Sequence, residues 1–442
     1  MKKITLMNHI GEPAEPLVEI GETVETGQVI AKSEEDALGS IYHSSIEGKV
    51  KDVTNEAIFI KPLDKDGLPI QEMSPESEKD ILKLDEDDSL SLIKAAGVVG
   101  SGGAGFPTYK KLDLDLGGEG IVIANGVECE PYLLHNKERM KKNPEDIITG
   151  IKTAMSLVNA NKAYIVVKEK EKKVVDVLTN KLKDEEKIEV KTVKDIYPMG
   201  EERAIIREVL GKLLEPDELP LEANTVVLNI ETLLNVKRAI VDRTPVVAKD
   251  ITLVGRIGEG RTQKPLFDVP LGTTIEELIE ESGGLSNSVG EIIMGGPFTG
   301  QNVTLETPVN KTTGGVIVTL PLPNREKMKV GLLECGCGGQ GERLTELAEK
   351  MGAEVVGTEK CKQAVEMKNG NLKCTNPGEC PGQAEKILNL KKNKADAVIT
   401  GTCADCTNTV MGVAPKLKLG VFHSTDHVNR TMGDRLVRKL KE

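Results

Sequence analysis

The fold is indicated by EGIVIANGVECEPY, residues 119–132, in which a run of Ile and Val ends in turn residues. Downstream, the periodicity predicts a helix over 144–160, a strand over 162–168, a helix over 171–184 and a strand over 188–193. Strands that alternate with helices of this length predict a parallel α/β sheet, whose ligands bind at the carboxyl ends of the strands. The polar residues that end the first strand are therefore candidates for a binding site.

A glycine-rich loop, GVVGSGGAGFPTYKK at 97–111, lies just upstream of this sheet. Because glycine has no Cβ, such a loop lets the backbone approach a phosphate closely. The loop lacks the Lys-Ser or Lys-Thr pair of a Walker A motif, and it is not a clean Rossmann fingerprint. By itself it is typical of any phosphate-binding turn, or of a turn without a ligand.

The composition excludes several classes of protein. The chain has 442 residues, enough for about three domains, with 38 % hydrophobic and only 2 % aromatic residues. A net charge of −12, from 58 basic and 70 acidic residues, argues against a nucleic-acid partner. No apolar run reaches the ~18–20 residues that cross a bilayer, and the N-terminus lacks the apolar core of a signal peptide. We expect a cytoplasmic protein without a transmembrane segment, and peripheral association with a membrane stays open.

Changes in pattern divide the chain into four predicted domains of a multidomain α/β protein. Residues 1–75 show short strands and Gly turns that resemble a barrel-sandwich hybrid of the lipoyl-carrier type, without a lysine at the hairpin tip. Residues 86–240 form the α/β domain, 241–325 an α+β unit resembling a β-grasp fold, and 326–442 a cysteine-rich α/β domain. The acidic stretch 63–88 is predicted to be a linker.

Three motifs of the α/β domain occur in a familiar order: GSGGAGFPTYKK at 100–111, NGVECEPY at 125–132, and YPMGEERAII followed by NIET within 197–232. They resemble the flavin site of the NADH-dehydrogenase subunit of complex I and of RnfC, a component of the Rnf complex. The resemblance covers about residues 1–325. It implies a Rossmann-like domain that binds FMN and NADH, followed by a β-grasp domain of the SLBB-like type.

The site suits FMN in physical terms. The loop 100–105 would place backbone N–H groups against the phosphate or the flavin edge, with Lys110 or Lys111 adding charge. The resemblance implies that two carboxylates, Glu128 and Glu130, orient the hydride donor and are the catalytic residues of this site. The predicted cofactor-binding residues are Gly100, Gly102, Gly103, Gly105, Lys110, Asn125, Glu201, Glu202, Asn229 and Thr232.

Seven of the eight cysteines lie in the C-terminal domain: Cys335, Cys337, Cys361, Cys374, Cys380, Cys403 and Cys406. The Cys-x₂-Cys-x₂-Cys iron–sulfur pattern of the Rnf and complex I relatives is absent. The tail resembles instead the proline-reductase-associated electron-transfer proteins (PrdC) of amino-acid-fermenting anaerobic bacteria. That resemblance implies that electrons pass from NADH towards D-proline reductase.

The spacing of the tail cysteines suits redox chemistry. Cys403 and Cys406 stand three apart where a strand runs into a predicted helix, which favours a thiolate and permits a disulfide. Cys335 and Cys337 also end a strand, so these four are the predicted catalytic thiols. They are equally candidates for ligands of a [4Fe–4S] cluster or a zinc ion. The two histidines of FHSTDHVNR, 422–430, are weaker metal candidates if they share a helix face.

The leading hypothesis is an electron-transfer flavoprotein, an NADH-dependent oxidoreductase. Electrons would pass from NADH through FMN to the cysteine centres and on to a protein acceptor such as D-proline reductase. One alternative is a true RnfC component of an Rnf-type complex, with iron–sulfur clusters at the membrane. Another is a non-enzymatic docking scaffold that retains the fold without the flavin. The sequence does not predict the oligomeric state.

Overall fold

A computed structural model describes residues 1–63, 89–401 and 404–436, with the side chains of 404–407 excepted. The N-terminal domain consists of two antiparallel sheets, with strand orders β1-β7-β6-β3 and β2-β4-β5. Its core is formed by side chains such as Leu6, Ile30, Ile58 and Ile60, all fully buried. The predicted linker at 63–88 lies, apart from Leu63, outside the described residues. The strands are β1 (Lys2–Thr5), β2 (Glu15–Pro16), β3 (Thr23–Val24), β4 (Val29–Lys32), β5 (Ile41–His43), β6 (Gly48–Val53) and β7 (Ala57–Pro62).

The second domain is a parallel α/β domain with strand order β10-β9-β8-β11, as predicted. Short 3₁₀ and π segments occur at Pro220–Ala223 and Arg238–Asp242. The strands are β8 (Gly120–Asn125), β9 (Ala160–Lys168), β10 (Ile188–Val193) and β11 (Thr225–Asn229). The helices are α1 (Ser89–Ala95), α2 (Thr108–Leu112), α3 (His135–Lys142), α4 (Pro144–Leu157), α5 (Lys172–Lys181), α6 (Glu202–Leu210) and α7 (Ile230–Lys237).

Burial on both faces explains why these strands are rich in Val and Ile. Val122 and Ile123 are successive residues of β8, so they point to opposite faces, and both are completely buried. Helix α4 lies close against α7 because Gly150 has no side chain: a Cβ there would lie 2.1 Å from the Leu233 carbonyl oxygen. Helix α7 begins directly after β11, so its N-terminus lies at the carboxyl edge of the sheet.

The third unit is an α+β arrangement with a five-stranded mixed sheet of order β13-β12-β16-β14-β15. Its helix begins with a capping box, in which Glu277 N donates to Thr274 Oγ1 at 3.2 Å and Thr274 N to Glu277 Oε2 at 3.1 Å. Its assignment to the β-grasp class stays a prediction. The elements are β12 (Ala248–Gly255), β13 (Thr262–Pro270), α8 (Ile275–Glu281), β14 (Ile292–Met294), β15 (Gln301–Val303) and β16 (Gly315–Val318).

The C-terminal domain is a second parallel α/β unit, with strand order β18-β17-β21-β22 and a separate antiparallel hairpin, β19–β20. No helix among the described residues is long and apolar enough to cross a membrane. The strands are β17 (Lys329–Glu334), β18 (Glu354–Lys360), β19 (Ala364–Glu366), β20 (Leu372–Cys374), β21 (Ala397–Thr400) and β22 (Gly420–His423). The helices are α9 (Gly341–Lys350), α10 (Ala384–Lys392), α11 (Ala404–Val413), a 3₁₀ turn at Ala414–Leu417 and α12 (Asp426–Met432).

Candidate flavin and thiol sites

Two asparagines mark the carboxyl edge of the second domain. Asn125 and Asn229 are directly opposite each other where β8 and β11 end. The Asn229 side chain caps α7 by accepting a hydrogen bond from Glu231 N at 2.8 Å. Asn125 donates to the Gly200 carbonyl at 3.0 Å and accepts from Val127 N at 3.0 Å. Both predicted residues therefore lie at the edge where a ligand of this fold class binds.

The glycine loop is held against the N-terminus of α7. Ser101 N donates to Thr232 Oγ1 at 3.0 Å, and Thr232 is only 1 % exposed. A Cβ on Gly102 would lie 2.6 Å from the side-chain nitrogen of Asn229, Nδ2. A Cβ on Gly103 would meet nothing within 4 Å. Residues 102–104 are exposed, and the two glycines among them have no side chain to cover their backbone. The loop thus brings NIET and the glycines together and presents open backbone, which fits a phosphate or a flavin edge.

The outer two glycines of the motif have a different role. Gly100 N donates to the Phe106 carbonyl at 3.0 Å, which closes the base of the loop. Gly105 has a φ of +71°, and a Cβ there would lie 2.5 Å from the Asn8 carbonyl oxygen. The structure therefore places Gly105 in the contact with the N-terminal domain, away from the exposed part of the loop.

The two lysines after the loop point to different partners. Lys111 Nζ lies 2.7 Å from Glu202 Oε1, so this pair joins α2 to the GEERA motif at the start of α6. Lys110 is exposed and pairs with Asp113 at 2.8 Å. Of the two predicted alternatives, Lys111 is the one that contacts another predicted site residue.

Glu201 is the N-cap of α6. Its carboxylate accepts a hydrogen bond from Ala204 N at 3.0 Å and from Arg203 Nε at 2.9 Å. These bonds satisfy a free N–H of the first helical turn and fix the Arg203 guanidinium. In the structure Glu201 has a capping role, and Arg203 is a residue that the sequence did not single out.

Glu130 joins the NGVECEP segment to the GGPFTG loop of the third unit. Its carboxylate accepts hydrogen bonds from Phe298 N at 2.7 Å, Thr299 N at 2.9 Å and Thr299 Oγ1 at 2.6 Å. A Cβ on Gly296 would lie 2.2 Å from the carboxyl carbon of Glu130, which explains the glycine there. Burial raises the pKa of Glu130 to about 7, although the three donors favour its charged form.

Glu128 lies beside Glu130, with a different set of partners. It accepts from Asn136 Nδ2 at 3.2 Å and from Glu130 N at 3.1 Å, and burial raises the pKa of its carboxyl. The side-chain oxygen of Asn136, Oδ1, is buried and accepts no hydrogen bond from the protein. A buried acceptor without a donor beside an acidic pair, at the edge where ligands bind, fits a bound group that supplies the missing hydrogen bond.

Two aromatic rings connect this site to the C-terminal domain. Tyr197 stacks on Phe298 with ring centroids 3.9 Å apart and planes at 9°. Gly338 also lies against the Tyr197 ring, since a Cβ at Gly338 would lie 3.2 Å from Tyr197 Cε1. Burial, followed by the nearby Glu130 and the thiols of the 335–337 loop, raises the pKa of Tyr197. The carboxylate site and the cysteine loop are thus separated by little more than this stacked pair.

Five cysteines line one small cleft of the C-terminal domain: Cys335, Cys337, Cys361, Cys374 and Cys380. The Gln383 amide nitrogen lies 3.2 Å from both Cys361 Sγ and Cys380 Sγ. Hydrogen bonds from the Cys337 thiol and from the Asn376 backbone lower the pKa of Cys374 to about 7, although burial opposes them, and the charge of Arg203 makes a smaller contribution. The five thiols of this domain that the structure describes are therefore gathered in one place.

The sequence predicted only part of this cluster. Cys335 and Cys337 belong to it, whereas Cys403 and the side chain of Cys406 lie outside the described residues, so their role stays a prediction. The sequence did carry a signal for Cys361, because it follows β18, the parallel neighbour of β17. Cys129 belongs to the other site and is inert, since burial raises the pKa of its thiol to about 12.

The proposed metal ligands have a mixed outcome. In 1–63, 89–401 and 404–436, no group of three His, Cys, Asp or Glu is arranged to hold a metal ion. None of the six cysteines with described side chains forms a disulfide. The prediction of a shared helix face for His423 and His427 is wrong. Strand β22 continues to His423, paired with Thr400, and α12 begins only at Asp426.

Comparison with known families agrees with this geometry. Residues 93–238 match the Nuo51 FMN-binding domain, and residues 2–63 match the RnfC barrel-sandwich hybrid domain. The fold and site therefore define a protein with an FMN-binding domain of the NADH-dehydrogenase type. Over these two domains the chain is similar to the RnfC-like family. The resemblance to RnfC and to the flavin-binding protein of complex I is confirmed, whereas the relationship to the proline-reductase-associated proteins stays a prediction.

Individual relatives cover different shares of the chain. The RnfC-type component of the Na⁺-translocating ferredoxin:NAD⁺ oxidoreductase complex of Acetobacterium woodii is 29 % identical over 324 residues, 71 % of this chain and 72 % of the relative. The cobalamin reductase PduS of Salmonella typhimurium is 34 % identical over 238 residues, 54 % of this chain and 51 % of the relative. A solved NAD⁺-reducing [NiFe]-hydrogenase matches 53 % of this chain and 46 % of its own, with 23 % identity and a TM-score of 0.45.

Proposed function

We propose that this chain is an FMN-dependent electron-transfer protein that takes electrons from NADH and passes them through thiols of its C-terminal domain to a protein acceptor. The observation that carries the proposal is the glycine loop, whose open backbone lies at the carboxyl edge of an FMN-binding domain. The packing of that site on the cysteine cleft through Tyr197 and Phe298 supports the second part.

Residues at the carboxyl edge of the sheet would hold different parts of FMN. When it is bound, FMN accepts the hydride. The exposed N–H groups of 102–104 would bind the phosphate or the flavin edge, and Lys111 would add positive charge at the rim. Asn125 and Asn229, already fixed by backbone hydrogen bonds, would present their remaining amide atoms to the ligand. Thr232 would hold the loop in place through Ser101 N.

The buried carboxylates would position the hydride donor and handle protons. Because burial brings the pKa of Glu130 to about 7, its carboxyl oxygens would hold or release a proton near neutral pH. Glu130 also accepts hydrogen bonds from the 298–299 backbone. A change of its charge would therefore affect the position of the Phe298 ring, which stacks on Tyr197. Glu128 would keep Asn136 oriented towards the edge.

The identity of the acceptor rests on the cysteine tail. Its resemblance to the proline-reductase-associated proteins supports D-proline reductase, in the cytoplasm, as the acceptor. The names of the Rnf relatives support instead a place in a larger protein complex. Iron and acid-labile sulfide in the purified protein would favour that alternative, and a colourless protein that still binds a partner would favour the docking scaffold.

A glycine substitution tests the FMN site without disturbing the fold. A Cβ at Gly103 meets nothing within 4 Å, so Gly103→Val will leave the melting temperature of the FMN-free protein within about 1 °C of wild type. If the loop backbone contacts FMN, the same change will lower FMN affinity at least tenfold, measured by flavin fluorescence on titration. The matched control is Gly260→Val, at another exposed glycine with open space. Equal FMN affinity in G103V, G260V and wild type would exclude the loop from the site.

A further inference from the structure

We propose that Lys311, a residue of the third unit, positions the glycine loop of the FMN site by fixing the start of that loop against the N-terminal domain. Lys311 lies between β15 and β16, and the sequence did not single it out. The inference deepens the proposed function and rests on it for the identity of the ligand. The position of the loop can be measured in the FMN-free protein, so the two can fail independently.

The ammonium group of Lys311 is enclosed at the junction of three domains. The residue is only 1 % exposed, and Nζ donates to the Gly97 carbonyl at 2.7 Å, the Ile41 carbonyl at 2.7 Å and Ser40 Oγ at 3.0 Å. Gly97 begins the glycine loop, whereas Ser40 and Ile41 belong to the N-terminal domain. All three N–H groups of the ammonium are therefore used, and each is donated to a neutral acceptor.

Stability alone does not explain a lysine at this place. Among the described residues no carboxylate pairs with Lys311, and burial lowers its pKa to about 7. Burial of a charge that only neutral acceptors compensate costs free energy, and an apolar side chain of similar length would avoid that cost. What the lysine adds is a set of directional hydrogen bonds that hold the Gly97 backbone in one place.

Both ends of the glycine loop contact the segment 311–312. Gly97 has a φ of +68°, and a Cβ there would lie 2.2 Å from the Ile41 carbonyl oxygen and 2.7 Å from Lys311 Nζ. At the other end, a Cβ on Gly105 would lie 3.0 Å from Cγ2 of Thr312, the residue after Lys311. The glycines at the two ends are therefore fitted to the same part of the third unit.

The ring of Tyr42 connects the two ends from the N-terminal domain. Lys311 Nζ lies 4.3 Å from the ring centroid, which is a cation–π contact. The Tyr42 hydroxyl accepts a hydrogen bond from Asn8 N at 3.1 Å and lies 2.8 Å from His9 Nδ1. The Asn8 carbonyl is the group that lies against Gly105. Tyr42 therefore contacts both the ammonium at the start of the loop and the segment at its end.

Fixed ends leave only the middle of the loop for a ligand. Gly100 N and Ser101 N already donate hydrogen bonds within the domain, whereas residues 102–104 are exposed. A loop that is held in its binding shape before the ligand arrives loses less conformational entropy on binding. Removal of the ammonium would release the start of the loop, and FMN would then have to order it.

The test measures the loop and its ligand separately in variants of the full chain. Lys311→Met keeps nearly the length of the side chain and removes the ammonium. In the FMN-free protein, hydrogen exchange over 97–106, followed by mass spectrometry, will be at least about fivefold faster than in wild type, while exchange in β9 is unchanged. A general loss of stability would accelerate exchange in β9 as well. On titration followed by flavin fluorescence, FMN affinity will fall about tenfold.

Lys2→Met is the matched control. Lys2 is also a largely buried lysine, 9 % exposed, that joins the N-terminal domain to the third unit. Its Nζ donates to Thr273 Oγ1 at 2.9 Å and to Glu277 Oε2 at 3.0 Å, and both partners lie outside the glycine loop. K2M will therefore keep the wild-type FMN affinity and the wild-type exchange over 97–106.

Tyr42→Phe tests the connection to the other end of the loop, and it decides the question if K311M does not fold. It keeps the ring beside the ammonium and removes the hydroxyl that contacts residues 8 and 9. FMN affinity will fall about threefold, and exchange over 97–106 will rise. Wild-type loop exchange or wild-type FMN affinity in both variants would overturn the proposal. If wild type binds no FMN, the proposed function fails, and loop exchange in the same variants still confirms or excludes the positioning role of Lys311.

Discussion

Glu130 has two roles in the candidate site: its carboxylate connects two units of the chain, and its pKa is raised by burial. The sequence predicted that a carboxylate lies close to the glycine loop. The loop precedes strand β8 and Glu130 follows it, so both belong to one sheet. The three hydrogen bonds to Phe298 and Thr299 were not predictable, because those residues lie far along the chain in a separate unit. The same is true of Gly105, whose requirement for glycine comes from the Asn8 carbonyl of the N-terminal domain.

The raised pKa of Glu130 predicts a pH-dependent contribution to stability. Because the carboxyl has a pKa of about 7 in the folded chain and about 4.5 when unfolded, the unfolded chain releases its proton first as the pH rises. The stability of wild type relative to Glu130→Gln will therefore fall between about pH 4.5 and 7, by about 1–3 kcal/mol in total. Urea unfolding of both proteins at pH 5, 6, 7 and 8 measures it.

The control for this experiment is Glu145→Gln, at a carboxylate whose side chain is 75 % exposed. The difference between E145Q and wild type will vary little over the same pH range. A constant difference between wild type and E130Q would mean that Glu130 is ionised in the folded chain throughout, which contradicts its burial.

At the scale of elements, helix α3 is attached to strands β12 and β13 by a buried ion-pair network. Arg139, 4 % exposed, makes a bidentate pair with Asp250 at 2.6 Å for both bonds and reaches Asp268 at 2.9 Å. The sequence predicted an α+β unit at 241–325, which contains both strands, but it did not predict helix α3. It did not predict the pairing, because nothing near Arg139 in the chain reveals a partner more than a hundred residues away.

Replacement of Arg139 will destabilise this junction strongly. Arg139→Met leaves the buried Asp250 carboxylate without its cation, which costs about 3–5 kcal/mol of unfolding free energy. The comparison is Lys181→Met, which removes an exposed ion pair with Glu145 and will cost less than about 1 kcal/mol. Urea unfolding at neutral pH measures both. Equal effects of R139M and K181M would show that the buried network contributes no more than a surface pair.

At the scale of the whole molecule, the structure joins the two sites that the sequence could only name separately. The sequence could predict that the three flavin motifs lie in one site, because each follows a strand or helix of one α/β domain. The thiol cluster was predictable only at Cys335, Cys337 and Cys361, which follow adjacent parallel strands. Cys374 lies on the β19–β20 hairpin, which is held in place by hydrogen bonds from Gln340 and Arg203. No local sequence pattern predicts these hydrogen bonds.

Electrons are proposed to enter this protein from NADH through FMN, and this entry is the central claim. The most direct test is to load the anaerobically purified protein with FMN, add one equivalent of NADH and follow the flavin absorbance. We predict that the yellow absorbance bleaches with one NADH oxidised per flavin, and that Gly103→Val shows less bleaching because it retains less FMN. Protein that binds FMN stoichiometrically and keeps its full absorbance in excess NADH would contradict the claim.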